Sequence, residues 1–121
     1  MPRIGIVVFG HGSSVASAND AVRAVAANAA RDGSWPLYET AFLECDPKLD
    51  AAVEALARSG AEEVLVLPYF LTLGIHLQRD LPKIVDELTN RFRIAIRVTP
   101  PLDGHPGLGK MLVDRAVEAT R

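Results

Sequence analysis

The segment Ile4-Gly5-Ile6-Val7-Val8-Phe9-Gly10-His11-Gly12-Ser13-Ser14 decides the fold. Ile4 to Phe9 is a nearly unbroken apolar run rich in β-branched residues, which suits a strand buried on both faces. Gly10 to Ser14 breaks the run. From Ala16 to Arg31 the period becomes helical, with Val22, Val25, Ala26 and Ala29 on one face. Gly33-Ser34 and Pro36 end that helix, and Leu37 to Leu43 reads as a second strand. Asp46-Pro47 has the form of a helix N-cap followed by proline at the first helical position. Leu49, Val53 and Leu56 carry the second helix to a C-cap at Gly60.

Val64 to Leu67 is the third strand and Tyr69 to Ile75 a loop. Leu77, Leu81, Ile84, Val85 and Leu88 mark the third helix, in which Pro82 is tolerable only within the first turn. Ile94 to Val98 is the fourth strand, and Leu108, Met111 and Leu112 start a last helix. The order βαβαβαβα predicts parallel strands joined by right-handed helical crossovers. The expected product is one α/β domain over residues 1–121, a three-layer α/β/α sandwich around a four-stranded parallel sheet.

Composition narrows the function classes. Of 121 residues, 49% are hydrophobic and 23% charged, enough apolar material for one core. Thirteen Lys+Arg against fifteen Asp+Glu give a formal charge of −2, so no basic footprint for nucleic acid exists. One cysteine excludes an internal disulfide framework and a Cys-only metal cage. No apolar run approaches the ~20 residues of a membrane span, and the opening residues lack signal-peptide character. The expectation is a cytoplasmic protein without nucleic-acid or membrane partners.

In open α/β sheets ligands bind beyond the carboxyl ends of the strands. All three histidines follow strand ends, and none is expected inside a helix: His11 after the first, His76 after the third, His105 after the fourth. Glu44, Cys45 and Asp46 follow the second. With the first strand central, His11, Glu44 and His76 emerge within about two strand spacings of ~4.8 Å. Two imidazoles and a carboxylate form a ligand set for a first-row divalent metal, leaving positions open for a substrate. Blander roles compete with this one. A strand-end histidine also serves as a hydrogen-bonded loop residue, and Glu44 suits the start of a helix. Cys45 reads as a packed side chain and His105 as a turn former.

Sharper motifs fail. Gly10-His11-Gly12-Ser13-Ser14-Val15 lacks the third glycine of a dinucleotide fingerprint, and Gly109-Lys110-Met111 is no P-loop. No G-x-S-x-G elbow occurs. Ser13 and Ser14 before a helix keep a small anion-binding module open. A metal carrier or sensor without insertion chemistry is the other alternative.

The chain resembles the small sirohydrochlorin chelatases, the class II chelatases of siroheme and cobalamin synthesis. The resemblance rests on Ile6 to Ser13 with Asn19, and on Ala41-Phe42-Leu43-Glu44 with Pro47 and Leu49. It continues through Leu67-Pro68-Tyr69-Phe70-Leu71 with Gly74, His76, Asp80, Leu81 and Pro82, and ends on Pro101-Leu102 with Gly104-His105-Pro106 and Leu108. It implies a chelatase-like, flavodoxin-like half. It also implies ATP-independent insertion of Co(II), or in some members Fe(II) or Ni(II), into a tetrapyrrole, with no cofactor beyond that substrate metal.

The family's histidine pair maps onto His11 and His76 and its glutamate onto Glu44. These three are the expected catalytic and metal-binding residues. Ser13, Tyr69, Phe70 and Leu71 are the expected tetrapyrrole contacts, with Leu73 extending the apolar wall. Arg79 and Lys83 are either partners for peripheral carboxylates or solvated helix residues. Where the family often has arginine after H-G-S, Ser14 stands here. Short members work as homodimers, so two copies are expected to enclose the substrate.

Overall fold

The computed structural model describes residues 2–121. Four strands and four helices alternate: β1 (Ile4–Gly10), α1 (Ala16–Gly33), β2 (Tyr38–Phe42), α2 (Leu49–Arg58), β3 (Glu63–Pro68), α3 (Ile75–Phe92), β4 (Ala95–Val98) and α4 (Gly107–Ala119). The sheet is wholly parallel in the order β2-β1-β3-β4, so β1 is central between β2 and β3, as expected. Six of the seven β1 residues are buried, which is why its sequence shows no polar alternation.

Two faces of the sheet are filled differently. Val7, Phe9, Ala41, Val64 and Val66 point to one side and join Leu49, Val53 and Leu56 of α2 with Leu77, Leu81, Val85 and Leu88 of α3 in the main core. Alternation along each strand sends Ile6 and Val8 to the other side. There α1 contributes Ala26 and Ala30, both buried. Val25, expected on the buried face of that helix, is 42% exposed. Alanines take α1's closest contact positions, and Val25 lies at the border of its packed stripe.

Helix ends correct three further expectations. Asp46-Pro47 does not open α2: its peptide bond is cis, and Phe42 N–H donates to Pro47 O at 2.8 Å, folding the segment back on β2. The helix starts two residues later, with Lys48 as N-cap. Pro82 lies in the interior of α3, which already begins at Ile75. Pro82 and Gln78 are both exposed, so the Gln78 carbonyl that loses its helical partner faces water. His76, expected in a loop, is the second residue of α3.

Ser34 caps α1 in the left-handed conformation (φ 55°), its N–H reaching Ala30 O and Arg31 O. The last helix stands apart: α4 contains no buried residue.

Candidate metal centre

Backbone pairing carries β1 and β2 past their formal ends. Leu43 N–H donates to Gly10 O and Glu44 N–H to His11 O, each at 3.0 Å. Those bonds set His11 and Glu44 side by side on the rim. Gly12 makes the close approach possible with φ 88°; a Cβ there would stand 2.7 Å from Cys45 Sγ. Cys45 is therefore a packing partner of the loop. Tyr69 N–H donates to Phe9 O at 2.7 Å and ties the third loop to the same rim.

Hydrogen bonds define the state of His11. Its Nδ1 lies 3.1 Å from Gly12 O. A carbonyl oxygen only accepts, so Nδ1 carries the proton and the neutral ring presents its lone pair at Nε2. That Nε2 is 3.5 Å from Glu44 Oε1. A lone pair and a carboxylate facing each other are two acceptors, and only a cation between them, proton or metal, makes the contact favourable. The Phe70 ring lies 6.3 Å away, edge on, as an apolar backing to the imidazole.

His76 is held in the opposite sense. An Arg79 guanidinium nitrogen lies 3.3 Å from its Nδ1, and guanidinium only donates, so Nδ1 is the acceptor. Arg79 Nε also donates to Asp80 Oδ1 at 3.0 Å. The Arg79 hydrogen bond, ahead of smaller charge effects, holds the Asp80 carboxyl below its ordinary range.

One cleft of about 500 Å³ is lined by His11, Glu44, Phe70, Ile75, His76 and Asp80, among others. All three expected ligands thus face one cavity, of a size suited to part of a small molecule. Of the three, only His11 and Glu44 are in mutual contact. Among the described residues, no three His, Cys, Asp or Glu side chains gather tightly enough to hold one ion.

The expected tetrapyrrole contacts divide. Phe70 lines the cleft, whereas Tyr69 and Leu71 are exposed on the loop beside it, at 38% and 65%. Ser13 does not line it: its N–H goes to Asn19 Oδ1 at 2.9 Å, and its Oγ accepts Val15 N–H at 3.0 Å. Those bonds order the loop and leave the amide unavailable to an anion. His105 also lies outside the cleft, its Nδ1 accepting Gly107 N–H at 2.9 Å at the start of α4.

Sequence reasoning missed Ile75. It lines the cleft at 81% exposure, beside His76. An isoleucine immediately before a rim histidine, outside the apolar period of α3, was the available signal. The link from Arg79 to His76 was also missed, although a spacing of three on a helix brings side chains together.

Residues 5–119 match the model of the CbiX family. The chain belongs to the CbiX family. CbiX relatives include the sirohydrochlorin cobaltochelatase of Methanococcoides burtonii, 32% identical over 96% of each chain. Another is the sirohydrochlorin cobaltochelatase of Methanopyrus kandleri, 34% identical over 68% of this chain; the match spans 58% of that protein's length. Among solved structures, a CbiX protein from Marinobacter aquaeolei superposes with a TM-score of 0.84 at 29% identity, covering 97% of both chains. The sirohydrochlorin chelatase SirB of Bacillus subtilis subspecies spizizenii, in complex with cobalt, gives 0.75 at 27% identity. That match covers 83% of this CbiX chain and 44% of SirB.

The described residues contain no helix long and apolar enough to cross a membrane.

Proposed function

We propose that this chain inserts a divalent metal, Co(II) or alternatively Fe(II) or Ni(II), into sirohydrochlorin without ATP. The observation that carries the reading is the His11–Glu44 contact, two facing acceptors that need a cation, in a cleft shared with His76. Full-length likeness to a protein named sirohydrochlorin cobaltochelatase supplies the substrate.

Insertion joins M(II) to the macrocycle and releases two pyrrole N–H protons. His11 presents Nε2 as ligand to the incoming ion or as acceptor for a proton. Glu44 balances the ion's charge and carries a proton outward. His76 is the second nitrogen ligand: its lone pair at Nδ1 must exchange the Arg79 contact for the ion, or Nε2 must first lose its proton. Phe70 and Ile75 in the cleft, with Tyr69 and Leu71 beside it, offer apolar surface to the macrocycle face. Arg79 and Lys83 suit its peripheral carboxylates. No other cofactor enters this scheme.

The protein works in this reading as a cytoplasmic homodimer. A tetrapyrrole is wider than one open cleft, and this chain matches 44% of SirB, so two copies supply what one longer chain contains.

Anaerobic mixing of the protein with sirohydrochlorin and Co(II), followed by visible absorbance, tests the function. The spectrum of the metallated macrocycle is expected to form faster than in the protein-free control. A rate equal to that control, from protein that binds Co(II), would instead support a metal carrier.

A further inference from the structure

We propose that Arg79 couples the two substrates: a side-arm carboxylate of the macrocycle draws its guanidinium off His76 and so strengthens the hold of His76 on the metal ion. This coupling rests on the chelatase reading above and adds to it a residue through which one substrate prepares the site for the other.

One contact of the resting protein stands in the way of the ion. Arg79 Nη2 lies 3.3 Å from His76 Nδ1. Guanidinium only donates, so the Nδ1 lone pair is held by Arg79 and the ring proton sits on Nε2. An ion at Nδ1 needs that lone pair. An ion at Nε2 needs the proton to leave, and a neutral ring that loses it there carries it at Nδ1, donor to donor with Arg79. Both routes require Arg79 to give way. Charge acts in the same sense, because a guanidinium this close to the ligand nitrogen repels a divalent cation. His11 has no such competitor: its Nε2 faces Glu44 Oε1 at 3.5 Å. In the free protein the ion must displace Arg79 unaided.

The chemistry of Arg79 defines what can displace it instead. A carboxylate holds guanidinium about twice as strongly as a neutral acceptor such as imidazole does. Position selects a side arm over the ring of the macrocycle. Phe70, Ile75, His76 and Asp80 line the cleft, and Arg79 does not. Its side chain is 60% exposed on the flank of α3. A macrocycle packed on Phe70 and Ile75 turns its peripheral carboxylates toward that flank.

Asp80 supplies a pivot. Arg79 Nε donates to Asp80 Oδ1 at 3.0 Å, and Nη1 has no partner among the described residues. With Nε kept on Asp80, the outer edge of the guanidinium can leave His76 for an incoming carboxylate. The Arg79 hydrogen bond chiefly, and the Lys83 charge to a smaller degree, keep Asp80 ionised as that anchor.

The test compares wild type with Arg79→Ala, an exposed position, in the full chain under anaerobic conditions. Co(II) alone is titrated by visible absorption, and metal-free sirohydrochlorin alone by its fluorescence. Arg79→Ala is expected to bind Co(II) roughly threefold tighter and sirohydrochlorin about fivefold weaker. Those opposite signs are not what a purely structural residue would give. In insertion assays the wild-type KM for Co(II) is expected to fall about threefold as sirohydrochlorin is raised from far below to far above its own KM, and to stay constant in Arg79→Ala. Unchanged affinities, a variant weakened for both ligands, or a wild-type KM for Co(II) independent of sirohydrochlorin would overturn the coupling. A wild-type protein that forms no metallated product would instead fail the chelatase reading, and the two direct affinities would still decide the exchange.

Discussion

His11 and His76 line the same cleft and are prepared in opposite ways. His11 sits on a loop fixed by backbone bonds, donates its Nδ1–H to Gly12 O, and turns a lone pair toward Glu44. His76 rides the first turn of a helix, and its Nδ1 is occupied by a cation, Arg79, itself held by Asp80. One imidazole awaits a positive charge and the other already faces one. In the proposed reading such asymmetry suits a metal that must be released: His11 captures the ion, and Arg79 stands ready to return to His76.

The comparison yields graded predictions. His11→Ala removes the only prepared lone pair and is expected to slow insertion by about 10²- to 10⁴-fold, the range of a positioned acid–base group. His76→Ala is expected to lose insertion to a similar extent with the fold intact, because the side chain is exposed. Anaerobic rates with circular dichroism check both; a His76→Ala enzyme of wild-type rate would leave His11 as the working histidine. Glu44→Gln keeps shape but loses charge, and is expected to weaken Co(II) loading about tenfold, more than tetrapyrrole binding. Equal Co(II) affinity by titration would remove Glu44 from the centre.

Smaller effects sharpen the α3 side. Pro82→Ala restores the hydrogen bond to Gln78 O and is expected to raise stability by about 1–3 kcal/mol in urea unfolding. Arg79→Ala removes a cation from beside the site, and roughly threefold tighter Co(II) binding is expected. Asp80 has a carboxyl held low by Arg79. Its contribution to stability is therefore present above the unfolded-state pKa and lost as pH falls through the lower folded value. Asp80→Asn is expected to lower stability slightly at neutral pH, where the contribution is present, and to flatten acid unfolding in that window.

Much of this was legible in the sequence. The buried run at β1, the period switch into α1 and the alternation of strands and helices define the sheet, because a strand covered on both faces cannot show polar alternation. The rim position of His11 and Glu44 follows from strand order. Local signals misled where tertiary contacts override them. Asp46-Pro47 has the residues of a helix start, yet Phe42 N–H draws Pro47 into a turn. Pro82 sits inside a helix on its exposed face, where the freed Gln78 carbonyl is solvated and the packing of α3 outweighs the lost hydrogen bond. The exposure of α4 could not be read, since an amphipathic helix shows the same pattern whether or not its apolar face is covered.

Equilibrium titration with Co(II), followed by its visible absorption, tests the central claim most directly in the wild-type protein, His11→Ala and His76→Ala. The account predicts one strong site with nitrogen-ligand bands, weakened at least tenfold by His11→Ala and also by His76→Ala. Wild-type affinity and an unchanged spectrum in both variants would contradict it.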